Sequence, residues 1–172
     1  SKGGICGAIN NGNITNCYSL SIVAGTNYCG GVCGRSAGTV SGCYNAGNVS
    51  GTNDFGAVCG LAETGATVTG CYYLDSSCTK AGGATSKTTD DFTSGALTWL
   101  MNGEKATDVI WRQRIGSDKT PVLTGSYIVY YWKNCQDNWV YINANTEPHS
   151  YSNGFCIWCD ALQPATLVES TN

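Results

Sequence analysis

Residues 31–51, GVCGRSAGTVSGCYNAGNVSG, are the middle copy of a unit that the chain writes three times. The first half recurs as Gly4-Ile5-Cys6-Gly7, Gly31-Val32-Cys33-Gly34 and Ala57-Val58-Cys59-Gly60. The second half recurs as Asn16-Cys17-Tyr18-Ser19, Gly42-Cys43-Tyr44-Asn45 and Gly70-Cys71-Tyr72-Tyr73. Successive cysteines are 27 and 26 residues apart at the first position and 26 and 28 apart at the second. The variation is confined to one segment: the first-to-second cysteine interval is 11, 10 and 12 residues, whereas the return interval is 16 both times. Variable length predicts a loop, and fixed length predicts packed strands.

A unit this short, with brief apolar runs between Gly, Asn, Ser and Thr, buries no core of its own and has to stack on its neighbours. β-Branched residues alternate with small ones in Thr39-Val40-Ser41 and Asn48-Val49-Ser50, as half-buried strands require. The reading is therefore mainly β. A parallel β-helix-like solenoid of about three coils spans residues 1–87, with equivalent residues stacked at about 4.8 Å per rung. A helix-plus-strand cap over 88–126 and a small β-rich unit over 127–172 follow.

The Gly-apolar-small-Gly turn followed by a Cys-Tyr-Asn strand resembles the GLUG-type repeat of bacterial surface proteins, over about 70 residues. The resemblance implies a secreted or wall-attached protein outside the bacterial cell. Its role would be that of an adhesin-like spacer or a non-catalytic arm of a larger surface peptidase or hydrolase, and the resemblance brings no catalytic residue with it. Ser1 to Ile5 falls inside a repeat, so further domains of the same chain are expected on both sides.

Charged residues make up only 12% and the net charge is −3, which argues against nucleic acid as a partner and against a polybasic membrane patch. No apolar run approaches the ~20 residues a membrane span needs, so membrane insertion is not expected. The partner implied is an unknown host or glycan ligand. Six of the 11 cysteines occupy the two repeat positions. Stacked cysteines on parallel strands come close enough for a disulfide, but their side-by-side Cβ vectors make its dihedral hard to reach. Buried free thiols acting as small hydrophobes are the expectation, with disulfides as the alternative. Cys29 aligns with Phe55, a position that asks for apolar bulk.

Residues 76–86 read as a loop, and residues 88–103 as one helix. Thr88 or Thr89 caps it, Asp90 and Asp91 complement its dipole, and Asn102-Gly103 ends it. Phe92, Ala96, Trp99 and Leu100 form the apolar stripe that would cover the last coil. Val109 to Gly116 alternates like a strand and puts Arg112 and Arg114 on one face, read as a solvated edge. Tyr127 to Trp132 is a strongly aromatic strand. With Trp139 and Tyr141 it makes either the core of the last unit or a stacking platform for sugar rings. The core is the expectation, and the burial of Trp132 and Trp139 decides.

One constellation carries metal chemistry. Cys135, His149, Cys156 and Cys159 are spaced Cys-x13-His-x6-Cys-x2-Cys, the thiolate and imidazole set of a closed structural zinc site. Competing readings are a disulfide from Cys135, a redox Cys156/Cys159 pair without the βαβ context it needs, and free thiols. Four protein ligands would leave no open position for a reacting water, so zinc here is a structural cofactor. The acids within the repeats, Asp54, Glu63 and Asp75, are the only carboxylates available to a glycosidase reading. The chain is expected not to be an enzyme.

Overall fold

The computed structural model describes residues 1–133 and 138–143, and beyond these the short strands Tyr151–Ser152 and Phe155–Cys156. The fold is mainly β, and the three copies of the repeat lie strand on strand, all parallel. Lys2–Gly3, Cys29–Gly30 and Phe55–Gly56 make one sheet, and Cys6–Ile9, Cys33–Ser36 and Cys59–Ala62 a second. Asn13–Thr15, Thr39–Ser41 and Thr67–Thr69 make a third; Tyr18–Ser19, Tyr44–Asn45 and Tyr72–Leu74 run through a fourth; Val23–Gly25 pairs with Val49–Gly51. The register sets Cys33 against both Cys6 and Cys59, and Tyr44 against both Tyr18 and Tyr72, so the hydrogen-bonded partners are the residues that the repeat aligns. The length changes fall in residues 10–12, 37–38 and 63–66, the links between the second and third strands of each copy.

Inside the stack, Val32, Cys33, Val40, Cys43, Val58 and Cys71 bury against one another with Ile14. The eight cysteines from Cys6 to Cys78 are free thiols. Three buried thiols of the two cysteine columns find a carbonyl two residues away: Cys33 Sγ donates to Arg35 O at 3.1 Å, Cys43 to Ser41 O at 3.2 Å and Cys71 to Thr69 O at 3.3 Å. Cys29 stacks on Phe55 in a second cluster with Val23, Val49 and Ala57, where Cys78 also packs. The corner at Gly31 requires its glycine, because a Cβ there would lie 2.2 Å from both Ala57 O and Asn45 Cγ. Asn45 is buried at that corner and stays satisfied: its Nδ2 donates to Gly47 O at 2.7 Å, and the Gly47 N–H donates back to Oδ1 at 3.2 Å.

The two ends of the stack differ. Residues 78–87, most of which belong to the 76–86 segment read as a loop, lie across the third copy. The Ala57 N–H donates to Lys80 O at 2.7 Å, Cys59 N–H donates to Gly82 O at 3.2 Å, and Thr85–Lys87 pairs parallel with Tyr72–Leu74. At the other end, each strand of the first copy borders its sheet, and Ile5, Leu20 and Ile22 are exposed. That arrangement corrects the expected helical cover over the last copy. The helical segment instead lies along the tyrosine side of the stack, and it is two short helices rather than one: α1, Thr89–Ser94, and α2, Ala96–Met101.

The break is at Gly95, whose φ of 98° is left-handed. A Cβ there would sit 3.0 Å from Ile115 Cδ1 and from Val129 Cγ1, so a side chain would have to push these neighbours aside and also hold a left-handed backbone. Thr88 caps α1 in a capping box with Asp91. The kink rotates the buried face from the predicted Ala96, Trp99 and Leu100 to Leu97 and Thr98, with Phe92 retained. Phe92, Leu97 and Trp111 bury against Tyr44. Tyr44 stacks on Tyr18 with ring centres 5.2 Å apart, takes Phe92 edge-on at 5.5 Å, and donates its hydroxyl to Pro121 O.

The predicted strand over 109–116 is reduced to one antiparallel bridge, Arg112 with Val122. Side chains take the place of a ladder: Asn102 Oδ1 accepts from the Ile110 and Trp111 N–H groups, its Nδ2 donates to Trp111 O, and Gln113 Nε2 donates to Phe92 O.

Gly95→Ala is expected to lower stability by about 1–3 kcal/mol in chemical denaturation, from left-handed strain plus crowding. No loss, or a gain, would show that the kink is unstrained. Burial holds the Tyr44 phenol above its ordinary value of 10.0. Its neutral form therefore supports folding fully below about pH 10, and that contribution is lost as pH rises through the raised folded value. Urea midpoints should fall above about pH 10, and Tyr44→Phe should reduce that alkaline loss; parallel pH profiles for the two proteins would assign it to other groups.

Candidate functional site

Val129–Lys133 and Trp139–Asn143 form an antiparallel hairpin in which Val129 faces Asn143, Tyr131 faces Tyr141 and Lys133 faces Trp139. Paired residues share a face of the ladder, so these six make one side, and Tyr130, Trp132, Val140 and Ile142 make the other. The first side is rooted in the cap at one end. Val129 and Asn143 are buried there. Asn143 Oδ1 accepts from the Ile115 N–H at 2.8 Å, and its Nδ2 donates to Gln113 O at 2.7 Å and Ile128 O at 3.0 Å.

Beyond that anchor the same side is a stack of rings. Tyr131 lies 4.9 Å from Trp139 at 24° and 4.8 Å from Tyr141 at 30°, with Trp99 of α2 at 6.3 Å. Trp139 is 57% exposed and Trp132 is 52% exposed. The expectation that these tryptophans form a core is therefore corrected. The hairpin packs on the cap through Val129 and Asn143 and through Tyr131 against Trp99, and the register carries Trp139 to the far end of the ladder, at an open groove beside α1.

Trp139, Val140 and Tyr141 form one wall of a solvent-open groove of about 550 Å³; Asp90, Asp91, Ser94, Ala96 and Ile115 complete it. Burial raises the Tyr141 phenol above its usual range, and Tyr131, Asp91 and Glu104 add to the effect. Asp91 is tied into the cap, accepting from Thr88 N at 2.9 Å and Thr88 Oγ1 at 2.9 Å. The Asp90 side chain makes no such bond to the cap and stands exposed at the groove. The dipole role assigned to both acids hid this: in a capping box only the residue three past the cap turns back, which leaves its neighbour directed elsewhere.

Of the predicted zinc ligands, Cys135, His149 and Cys159 lie outside the described residues. Cys156 is placed by its backbone, opposite Tyr151 in a short antiparallel ladder. Among the described residues no group of three or more His, Cys, Asp or Glu is disposed to hold a metal ion. Within the repeats, Glu63 is engaged by Arg35, and Asp75 opens a short 3-10 turn. Arg112 and Arg114 do not converge: Arg112 Nε donates to Gly125 O at 3.0 Å, whereas Arg114 stacks over Tyr127 at 5.2 Å. Among the described residues no helix is long and apolar enough to cross a membrane. No family model, curated protein or solved structure matches the chain.

N-Bromosuccinimide at low excess is expected to oxidise Trp132 and Trp139 ahead of Trp111, which has no exposed surface. Peptide mapping reads the order, and equal protection of all three would place the hairpin rings in a core.

Proposed function

We propose that this chain is a non-catalytic structural and interaction module of a larger bacterial surface protein. In this reading its three repeats are coils of a GLUG-type parallel β-solenoid that act as an adhesin-like spacer. The observation that carries it is the in-register parallel pairing of all three copies, Cys6, Cys33 and Cys59 in one line and Tyr18, Tyr44 and Tyr72 in another. In a stack of this kind each copy contacts only its neighbours, so length is added one unit at a time, as a spacer requires. An extracellular location and a larger parent protein belong to the same proposal.

A second reading, a carbohydrate-binding or accessory arm of a surface hydrolase, is favoured by the exposed Trp139 and Trp132. It is compatible with the first, since a spacer displays whatever its end carries. For the last segment we propose a structural zinc held by Cys135, His149, Cys156 and Cys159. The tight ladder ending at Cys156 supports it, because a Cys-x-x-Cys pair starts from such a turn. Zinc would contribute folding free energy that a unit this small does not gain from its core.

On the intact chain, elemental analysis should give one zinc, and chelation should lower the melting temperature while releasing three thiols together. Absence of zinc overturns the metal staple alone. Incubation with polysaccharide and peptide libraries should release neither reducing ends nor new amino termini, and release of either would overturn the non-catalytic reading.

A further inference from the structure

We propose that the groove between α1 and the strand Trp139–Asn143 binds a neutral glycan, with a pyranose ring lying on Trp139 and its hydroxyls donating to Asp90. The inference rests on the reading of the chain as a binding module and supplies the ligand class for it.

Three features of the groove select that occupant. The first is the ring itself. Trp139 is more than half exposed, yet Tyr131 stacks on it at 4.9 Å and Tyr141 stacks on Tyr131 at 4.8 Å. The indole is thus held in one plane before anything binds, and little further side-chain entropy is lost on contact. The second is the alternation of ring with oxygen. Trp139 and Tyr141 face Asp90, Asp91 and Ser94 across the groove. A pyranose has the matching pattern, a face of C–H bonds edged by hydroxyls that bond strongly to a carboxylate. A purely apolar ligand would cover the rings but strip the Asp90 carboxylate of water without replacing its bonds.

The third feature is charge. Asp90 and Asp91 line the groove, and Asp91 and Glu104 act on the Tyr141 hydroxyl in the same sense. Lys133 lies opposite Trp139 on the same side of the ladder, while the carboxylates on the groove wall disfavour sugar acids and phosphates beside Asp90 and leave hydroxyl and N-acetyl groups as the polar partners there. The groove is open to solvent rather than enclosed, which leaves room for a unit of a longer glycan.

The test is a fluorescence and calorimetric titration of the full chain with cellotetraose, chitotetraose and sialyllactose. At least one neutral tetrasaccharide should bind to saturation, with sialyllactose at least about tenfold weaker. Trp139→Ala should weaken the neutral sugar by at least about tenfold, and Trp139→Phe should restore most of the loss. Asp90→Asn should narrow the gap between neutral and acidic sugars, a change that a merely structural role would not produce. Circular dichroism confirms that each variant is folded; both positions are exposed, so neither substitution removes core. Failure of both tetrasaccharides to saturate, or Trp139→Ala binding as tightly as the parent, overturns the groove and leaves the spacer reading intact. Release of reducing ends in the same titration would overturn the non-catalytic reading and leave the groove standing.

Discussion

Tyr44 is the contact on which the two halves of the chain depend. It belongs to the repeat, stacked on Tyr18 and aligned with Tyr72, yet its outer face is the floor on which Phe92, Leu97 and Trp111 bury. Its hydroxyl reaches Pro121, so one side chain touches the first copy, α1 and the turn that follows the cap. A sheet formed from two- and three-residue strands has little strength of its own. The aromatic cluster gives the tyrosine side a second layer, and the cap in turn gains a flat, regular surface to pack on.

Much of this was legible in the sequence because a repeat aligns itself. The cysteine intervals fix which residues meet across the rungs, and the interval that varies marks the loops at residues 10–12, 37–38 and 63–66. Thr88 and Asp91 announced the start of α1 through the chemistry of capping. What followed was less readable. A glycine inside an apolar helical period looks like a tolerated weak point, and only the closeness of Ile115 and Val129 shows why Gly95 turns the chain. Residues 78–87 carry no repeat and no period, so their place across the third copy rests on backbone bonds that composition does not encode.

The hairpin illustrates a different limit. Its rings are as apolar as any core, and alternation along Tyr131, Lys133, Trp139 and Tyr141 names a face without saying whether that face meets protein or water. The answer comes from Asn143, whose hydrogen bonds with Ile115 and Gln113 pin one end of the ladder to the cap, a third to Ile128 tying it to the start of the partner strand, while the tryptophan at the other end stays exposed. Asn143 is also one of the few buried polar residues, and its position explains how the ring stack is held steady while remaining exposed. Asp90 escaped notice for a related reason: adjacent acids at a helix start look equivalent in sequence but diverge by about 100° around its axis.

The unequal ends of the stack make it directional. Residues 78–87 cover the third copy, whereas the first copy supplies the bordering strand of each sheet on the other side. A further copy of the unit, paired in the same register on the first-copy side, would lengthen the stack by about 5 Å and leave the cap's contacts as they are. Copy number would then work as a ruler, setting the reach of the molecule, while the terminal unit and the groove beside it stay unchanged.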